Sequence, residues 1–394
     1  MAERTDRDMT SLYASIGEQL VHYSANVADA LLVRRDAVTL PANVQYVWPH
    51  PSHRYLYVAS SDRVRGELGQ KHSLTTFRIA DDGALTQIGT PVSLPYRPIH
   101  ITVDRAGEWL AAAFNSAGAK RGPGTVLLYR IVQDGGALLE AVTSDTVDAG
   151  MYPHQARFSP GGEHLIVCVR GNNATAQHGE DPGSLKSFNI DNGRASLASE
   201  VQYEPGLGPR HLDIDPTKPW IYVSMERGNK LCVHRLDESG TVAPGILFTR
   251  STLADEANDR RARQLASAIH VHPAGSHVYV ANRADGVVRD DGEEIFEGGE
   301  NNIAVYRVDG ETGEPSLVQH ADTRGIHPRT FSIDRTGRLL VVGHVMSRRA
   351  RDRVVKAIPV SLSLFRVLPD GRLEFARKYD FDTGKQTLFW TGLV

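Results

Sequence analysis

The sequence predicts an all-β fold, a seven-bladed β-propeller with four antiparallel strands per blade, closed by N- and C-terminal strands that share one blade. Three observations carry this. A hairpin-like unit recurs six times, its copies are almost evenly spaced, and the chain ends hold strand-like runs that belong to no complete unit. A fixed period of about 50 residues is the mark of a solenoid, propeller or array.

The template runs from Gly208 to Glu226. A polar turn leads into Arg210-His211-Leu212-Asp213-Ile214, an Asp215-Pro216 turn follows, and Trp220-Ile221-Tyr222-Val223-Ser224-Met225 returns. Two apolar or alternating runs split by turn residues read as a β-hairpin. Equivalent hairpins start near Val47, Ile101, Ala156, Ile269 and Phe331. With His50, Asp104, Ser159, Asp215, His272 and Asp334 as register points, the spacings are 54, 55, 56, 57 and 62 residues. Each unit continues with two further strand-like runs, such as Leu231–Leu236 and Ile246–Thr249, which makes a four-stranded blade. A β-sandwich with chance similarity is the rival fold; a register kept through six copies disfavours it.

Residues 1–11 are charged and read as a flexible N-terminus, with residues 12–394 as one propeller domain. Leu12–Ile16, Leu20–Ser24 and Ala30–Val33 supply strands before the first full unit, and Thr387–Val394 supplies one after the last. Together they make the seventh blade, which removes open sheet edges. Four segments exceed the blade pattern: 171–183, 250–266, 284–301 and 346–360. The second is rich in helix formers and predicts a short helix. The third is acidic and Gly-rich. The fourth is basic, with Arg348, Arg349, Arg351, Arg353 and Lys356.

Bulk composition excludes several functions. A net charge of −3 with 23% charged residues gives no basic excess, so no nucleic-acid partner is expected. No apolar run approaches a membrane span, and the N-terminus lacks the apolar stretch of a signal peptide. Cys168 and Cys232 sit in apolar strands and read as reduced core residues, which points to the cytoplasm. Oligomeric state is left open.

The register also selects the site. The start of the first strand and the end of the second share one rim of the central channel. Five residues before the register points stand Gln45, Ile99, His154, Arg210, Ser267 and Arg329. Eleven residues after them stand Ser61, Asn115, Arg170, Glu226, Arg283 and Val345, with His344 beside the last. His100 and His211 lie one step further along their strands. The long segments should surround the same mouth. Arginine presents a planar fork to carboxylate or phosphate, so several arginines around one carboxylate and one histidine point to an anionic small molecule handled by acid–base chemistry. The cations should keep Glu226 ionised. The bland readings are solvated strand ends and an Arg–Glu bridge between blades. His270 and His272 share a strand face, but no acidic partner completes a metal site, and none is expected.

Pro153-His154 before Phe158-Ser159-Pro160-Gly161-Gly162, Gly208-Pro209-Arg210-His211 before Asp215-Pro216, Ala281-Asn282-Arg283, and Pro328-Arg329 before Phe331-Ser332-Ile333-Asp334 resemble the seven-bladed lactonase family. That family includes the propeller type of 6-phosphogluconolactonase and the fungal 3-carboxy-cis,cis-muconate lactonizing enzyme. By motif, the histidine, glutamate and two arginines used by the latter match His154, Glu226, Arg210 and Arg283. The resemblance implies no cofactor and a small anionic lactone as substrate, with His211, Arg170, Arg329, His100 and His344 as substrate-binding candidates. It implies hydrolysis of the ester bond of a carboxylated or phosphorylated sugar or organic-acid lactone. A lactonizing cycloisomerase using the same groups is the alternative, and a non-catalytic ligand- or protein-binding propeller is the rival from another class. The insertions at 284–301 and 346–360 depart from the phosphogluconolactonase pattern and put the substrate in doubt more than the reaction.

Overall fold

A computed structural model describes residues 8–63, 67–118, 122–132, 138–141, 147–261, 263–352 and 354–394. Its strands form seven radial sheets. Blades 1 to 6 follow the chain, over 43–93, 98–151, 153–202, 209–251, 264–322 and 328–381. The closing blade has Thr391–Leu393 innermost, then Met9–Ile16, Gln19–Asn26 and Leu31–Thr39. In blade 2 the outer position is divided between Leu138–Ala141 and Val147–Met151, which both pair with Pro123–Val132.

The ring is held by apolar layers between neighbouring blades. Second strands are buried on both faces, so alternate residues serve opposite neighbours. In blade 4, Tyr222 packs with Val278 and Tyr306 of blade 5, while Ile221 and Val223 pack with Cys168 and Leu185 of blade 3. Equivalent clusters join every adjacent pair, including blade 6 with the closing blade and the closing blade with blade 1. Both cysteines are free and buried.

A second device repeats. Tyr13, Tyr222 and Tyr279, each on the second strand of its blade, donate to the carbonyls of Gly83, Gly313 and Gly371 in the next blade. Those glycines occupy positive φ in the turn before the outermost strand. His50 and His272 likewise reach the carbonyls of Gly107 and Gly337, both at 3.1 Å. At the same register, Asp104 and Asp334 instead accept backbone N–H groups within their own turns.

Three expectations are corrected here. Residues 9–11 belong to the strand Met9–Ile16, so the propeller begins before residue 12; residues 1–7 lie outside the described residues. The 250–266 segment is not an α-helix. It makes one 3₁₀ turn, Glu256–Arg260, capped by Asp255, because the Glu300 carboxylate captures the N–H groups of Ala254 and Asp255 and the amide of Asn258. The 284–301 and 346–360 segments are not separate loops. Hairpins Val287–Asp290/Glu293–Phe296 and Arg348–Asp352/Val354–Ile358 join through one parallel pair, Ile295 with Arg349, into an accessory sheet. The acidic insertion pairs with the basic one: Arg349 with Glu293, and Arg351 with Asp290. Arg353 lies outside the described residues.

Candidate active site

One local motif places the rim side chains. In each of blades 1 to 6 the ladder between first and second strands shifts by one residue at the rim. The residue left over in those bulges is Gln45, Ile99, His154, Arg210 or Arg329, and in blade 5 Ser267 with Ala268 stands opposite one partner. A bulge re-aims its side chain away from the ladder. In blades 3, 4 and 6 the bulged residue follows a proline and, before it, a residue at positive φ: Tyr152 (64°), Gly208 (65°) and His327 (60°). The carbonyl of that residue accepts the N–H of Arg170, Glu226 and Val345 respectively, which ties the two rim positions of each blade together.

Four of the predicted groups meet at one carboxylate. Glu226, 4% exposed, is ion-paired by Arg170 and Arg283, and Arg210 Nε lies 3.3 Å from its Oε1. Burial alone would raise the Glu226 pKa; Arg170, Arg283 and Arg210 outweigh it and bring it down to about 2. Arg210 is wholly buried, yet no nitrogen of its guanidinium has a hydrogen-bond acceptor among the described residues. Burial, then repulsion from Arg283, pulls its pKa down to about 9, so it stays protonated at neutral pH. Arg329 is buried nearby with its guanidinium 3.8 Å from the centre of the Phe389 ring. Three guanidinium groups thus crowd around one carboxylate, with the fourth, Arg329, buried beside Arg210 and Arg283.

The histidines form a chain down the channel. The rings of His154 and His211 are 5.0 Å apart, those of His211 and His100 5.9 Å, and those of His100 and Tyr46 4.1 Å. Burial first, and Arg210 among the surrounding arginines, hold His154 and His211 well below the usual histidine range, so both are neutral. His154 Nδ1 is buried without an acceptor or donor among the described residues. His100 is fully buried further down, on blade 2, two blades away from Glu226 of blade 4. His344 does not join the cluster: its Nδ1 faces the carbonyl and hydroxyl of Ser361 within its own blade. His270 and His272 diverge, one toward Asp213 and the other to Gly337, and no group of three metal-ligating side chains occurs among the described residues.

Several site residues were missed by the register. Tyr152 stacks on His154 and lies under the guanidinium of Arg170, 4.7 Å from ring centre to Cζ. Arg97, whose Nε donates to Gln45, lines a cavity of about 250 Å³ with Arg63, Asn115, Tyr152 and Asn172. Asp285 and His327 extend the cluster behind Arg283. The x-Pro-x pattern at the bulges of blades 2, 3, 4 and 6 was the available signal for Arg97, Tyr152 and His327; Asp285 had none. The opposite end of the channel holds an aromatic cavity of about 310 Å³ around Tyr46, Trp48, Phe331 and Trp390, and a hollow of about 750 Å³ beside His22 and Asp36 lies remote from these groups.

The 6-phosphogluconolactonase of Yersinia enterocolitica is 26% identical over 330 residues, covering 83% of this chain and 85% of its own. The 6-phosphogluconolactonase of an Enterobacter species is 27% identical over 330 residues, with 83% and 86% covered. The periplasmic gluconolactonase of Pseudomonas aeruginosa superposes with a TM-score of 0.72 at 20% identity, covering 95% of this chain and 97% of its own, a likeness of fold. The description "Lactonase, 7-bladed beta-propeller" matches residues 9–352, and the chain belongs to that family.

Proposed function

We propose that the protein hydrolyses the ester bond of an anionic lactone of the 6-phosphogluconolactone type at the Glu226 rim. The observation that carries this is Arg210: a buried guanidinium without a hydrogen-bond acceptor among the described residues, one of three arginines around one carboxylate, with Arg329 buried nearby. Buried cations in excess favour an incoming anion, and an arginine fork suits both a phosphate and a developing oxyanion. The relatives named 6-phosphogluconolactonase support the same substrate class.

Arg210 and Arg329 hold the substrate's negative charge and that which develops on the carbonyl oxygen. The neutral His154 takes a proton from water as the water oxygen bonds to the carbonyl carbon. The tetrahedral intermediate then expels the ring oxygen, the ring C–O bond breaks, and His154 returns the proton to that oxygen. Glu226 is a poor base, because its pKa near 2 and its arginine partners favour the charged form. It serves as the counter-ion that lets the guanidinium groups approach one another. His211 stands behind His154, and Arg170 spans Glu226 and Tyr152. Two free buried cysteines support a reducing cytoplasm as the working compartment.

The experiment is turnover of 6-phosphogluconolactone and of its unphosphorylated counterpart, followed by acid release in a pH-stat. Preference for the phosphorylated lactone is expected. Formation of a lactone from an unsaturated dicarboxylate, with no lactone hydrolysed, would instead establish the muconate-type cyclisation. Failure of both would leave a binding propeller.

A further inference from the structure

The hydrolytic scheme leaves a buried acid beside Arg283 unused. Asp285 stands two residues beyond Arg283, where the 284–301 insertion leaves its blade, and is 6% exposed. Arg263 donates to both its oxygens, Nε to Oδ1 and Nη2 to Oδ2, each at 2.8 Å. Its Oδ2 also lies 3.3 Å from His327 Nδ1, an ion-pair distance whose angle falls outside hydrogen-bond geometry, so a small rotation of either side chain completes the bond. Across the imidazole, Nε2 lies 3.2 Å from Nη1 of Arg283, and Arg283 Nη2 pairs with Glu226.

The donors and acceptors fix the tautomer. Arginine nitrogens only donate, so His327 Nε2 must accept and the ring proton must sit on Nδ1, toward Asp285. Burial, opposed by Asp285 and helped by Arg283, brings the His327 pKa down to about 4, which keeps the ring neutral. The ring is also held from its backbone. His327 has φ of 60°, a conformation a histidine keeps only when its surroundings enforce it. Its N–H donates to Asn301 Oδ1 at 2.9 Å, and the same oxygen accepts the N–H of Ala284 at 2.9 Å. With Nη2 on Glu226 and Nη1 on His327, only Arg283 Nε is left without an acceptor among the described residues.

We infer that Asp285 and His327 are positioning residues: Asp285 fixes the tautomer of His327, and His327 fixes the guanidinium of Arg283 so that its Nε edge faces the substrate. The inference rests on the reading of the Glu226 rim as the reaction site. An Asp285→Asn side chain can donate to Nδ1, which moves the ring proton to Nε2 and sets two donors head-on between His327 and Arg283.

The first test needs no substrate. Nitrogen NMR of protein labelled with ¹⁵N-histidine should show His327 with its proton on Nδ1, and a shift toward Nε2 in Asp285→Asn. A wild-type ring protonated on Nε2 overturns the relay. The second test is kinetic, with 6-phosphogluconolactone. Asp285→Asn should lower kcat/KM by roughly 100-fold, the scale of a misplaced binding group. In an Arg283→Gln background the same change should cost less than about twofold, because it acts through Arg283. An undiminished cost there overturns the relay. His327→Gln, whose amide oxygen can accept from Arg283 without help from Asp285, should retain most activity and make Asp285→Asn silent; if Asp285→Asn keeps its full cost there, the relay is also overturned. Should the wild type leave the lactone intact, the reaction assignment fails, while the tautomer measurement still decides the relay.

Discussion

Glu226 and Arg210 face each other at 3.3 Å in the channel, and the pair is lopsided. The carboxylate also holds Arg170 and Arg283, whereas the guanidinium has no hydrogen-bond acceptor among the described residues. Burying a charge without hydrogen bonds is costly, and such a cost persists where function demands it.

That cost predicts a trade between stability and activity at Arg210. Arg210→Met removes the charge and nearly keeps the volume. It should raise Tm by a few degrees while abolishing turnover. Arg210→Lys keeps the charge but loses the fork, and kcat/KM should fall on the order of a hundredfold, about 3 kcal/mol. Calorimetry and pH-stat assays check both. Equal turnover in Arg210→Lys would place the reaction elsewhere.

Glu226 predicts an acid-side loss of stability. Its folded pKa of about 2 lies below the ordinary 4.5, so its contribution is complete above about pH 5 and disappears as the pH falls toward 2. The shift corresponds to roughly 3 kcal/mol. Glu226→Gln should flatten this part of the curve and, through loss of the counter-ion, lower kcat by two to four orders of magnitude. Chemical denaturation at pH 2.5 to 6 measures the first effect; an identical pH dependence in the variant would show that the shift is not realised.

Much of this was legible in the sequence. The six-fold register gave the blades, the shared closing blade and the rim, because a propeller's hydrogen-bond ladder turns even spacing into equivalent positions. Four of the nine predicted site residues, Arg170, Arg210, Glu226 and Arg283, meet directly. What the register could not show were contacts across blades. Asp285 lies outside the two register columns, and its partners Arg263 and His327 are set by the seating of an insertion. His344 occupied a rim position, but a hydroxyl in its own blade, that of Ser361, took its ring nitrogen. The helix expected at 250–266 lost to tertiary capture by Glu300, a residue more than forty positions away.

His154 predicts a pH–rate profile without a step near 6.5. Burial and the flanking arginines hold it well below that value, so the neutral base persists into acid. Hence kcat/KM should stay flat from neutrality through pH 6 and decline only at lower pH. His154→Gln should cost about 10²- to 10⁴-fold. A wild-type inflection at 6.5 that vanishes in His154→Gln would contradict the burial argument.

Ring closure predicts that residues 387–394 are indispensable. Trp390 N–H donates to Ser15 Oγ at 2.8 Å, its carbonyl accepts from Ser15 N–H at 2.9 Å, and its ring lies 6.4 Å from Tyr46 of blade 1. Deleting these eight residues removes the innermost strand of the closing blade and bares two sheet faces. Loss of cooperative unfolding, or aggregation on expression, is expected. An unchanged Tm would refute the closure.

The bulges at the rim carry a consequence for how such a protein can change. A bulged residue is surplus to the ladder, so its identity is not dictated by strand pairing. The ring therefore offers a set of sockets at one rim, and those outside the apolar layers can be replaced at little cost to folding. Three hold His154, Arg210 and Arg329, and a fourth holds Gln45, which props Arg97, whereas Ile99 packs into the apolar layer between blades 2 and 3 and Ser267 donates to the carbonyl of Arg329. New specificity for a differently substituted ring can enter at Gln45 and its partner Arg97, one substitution at a time, with the catalytic groups left in place.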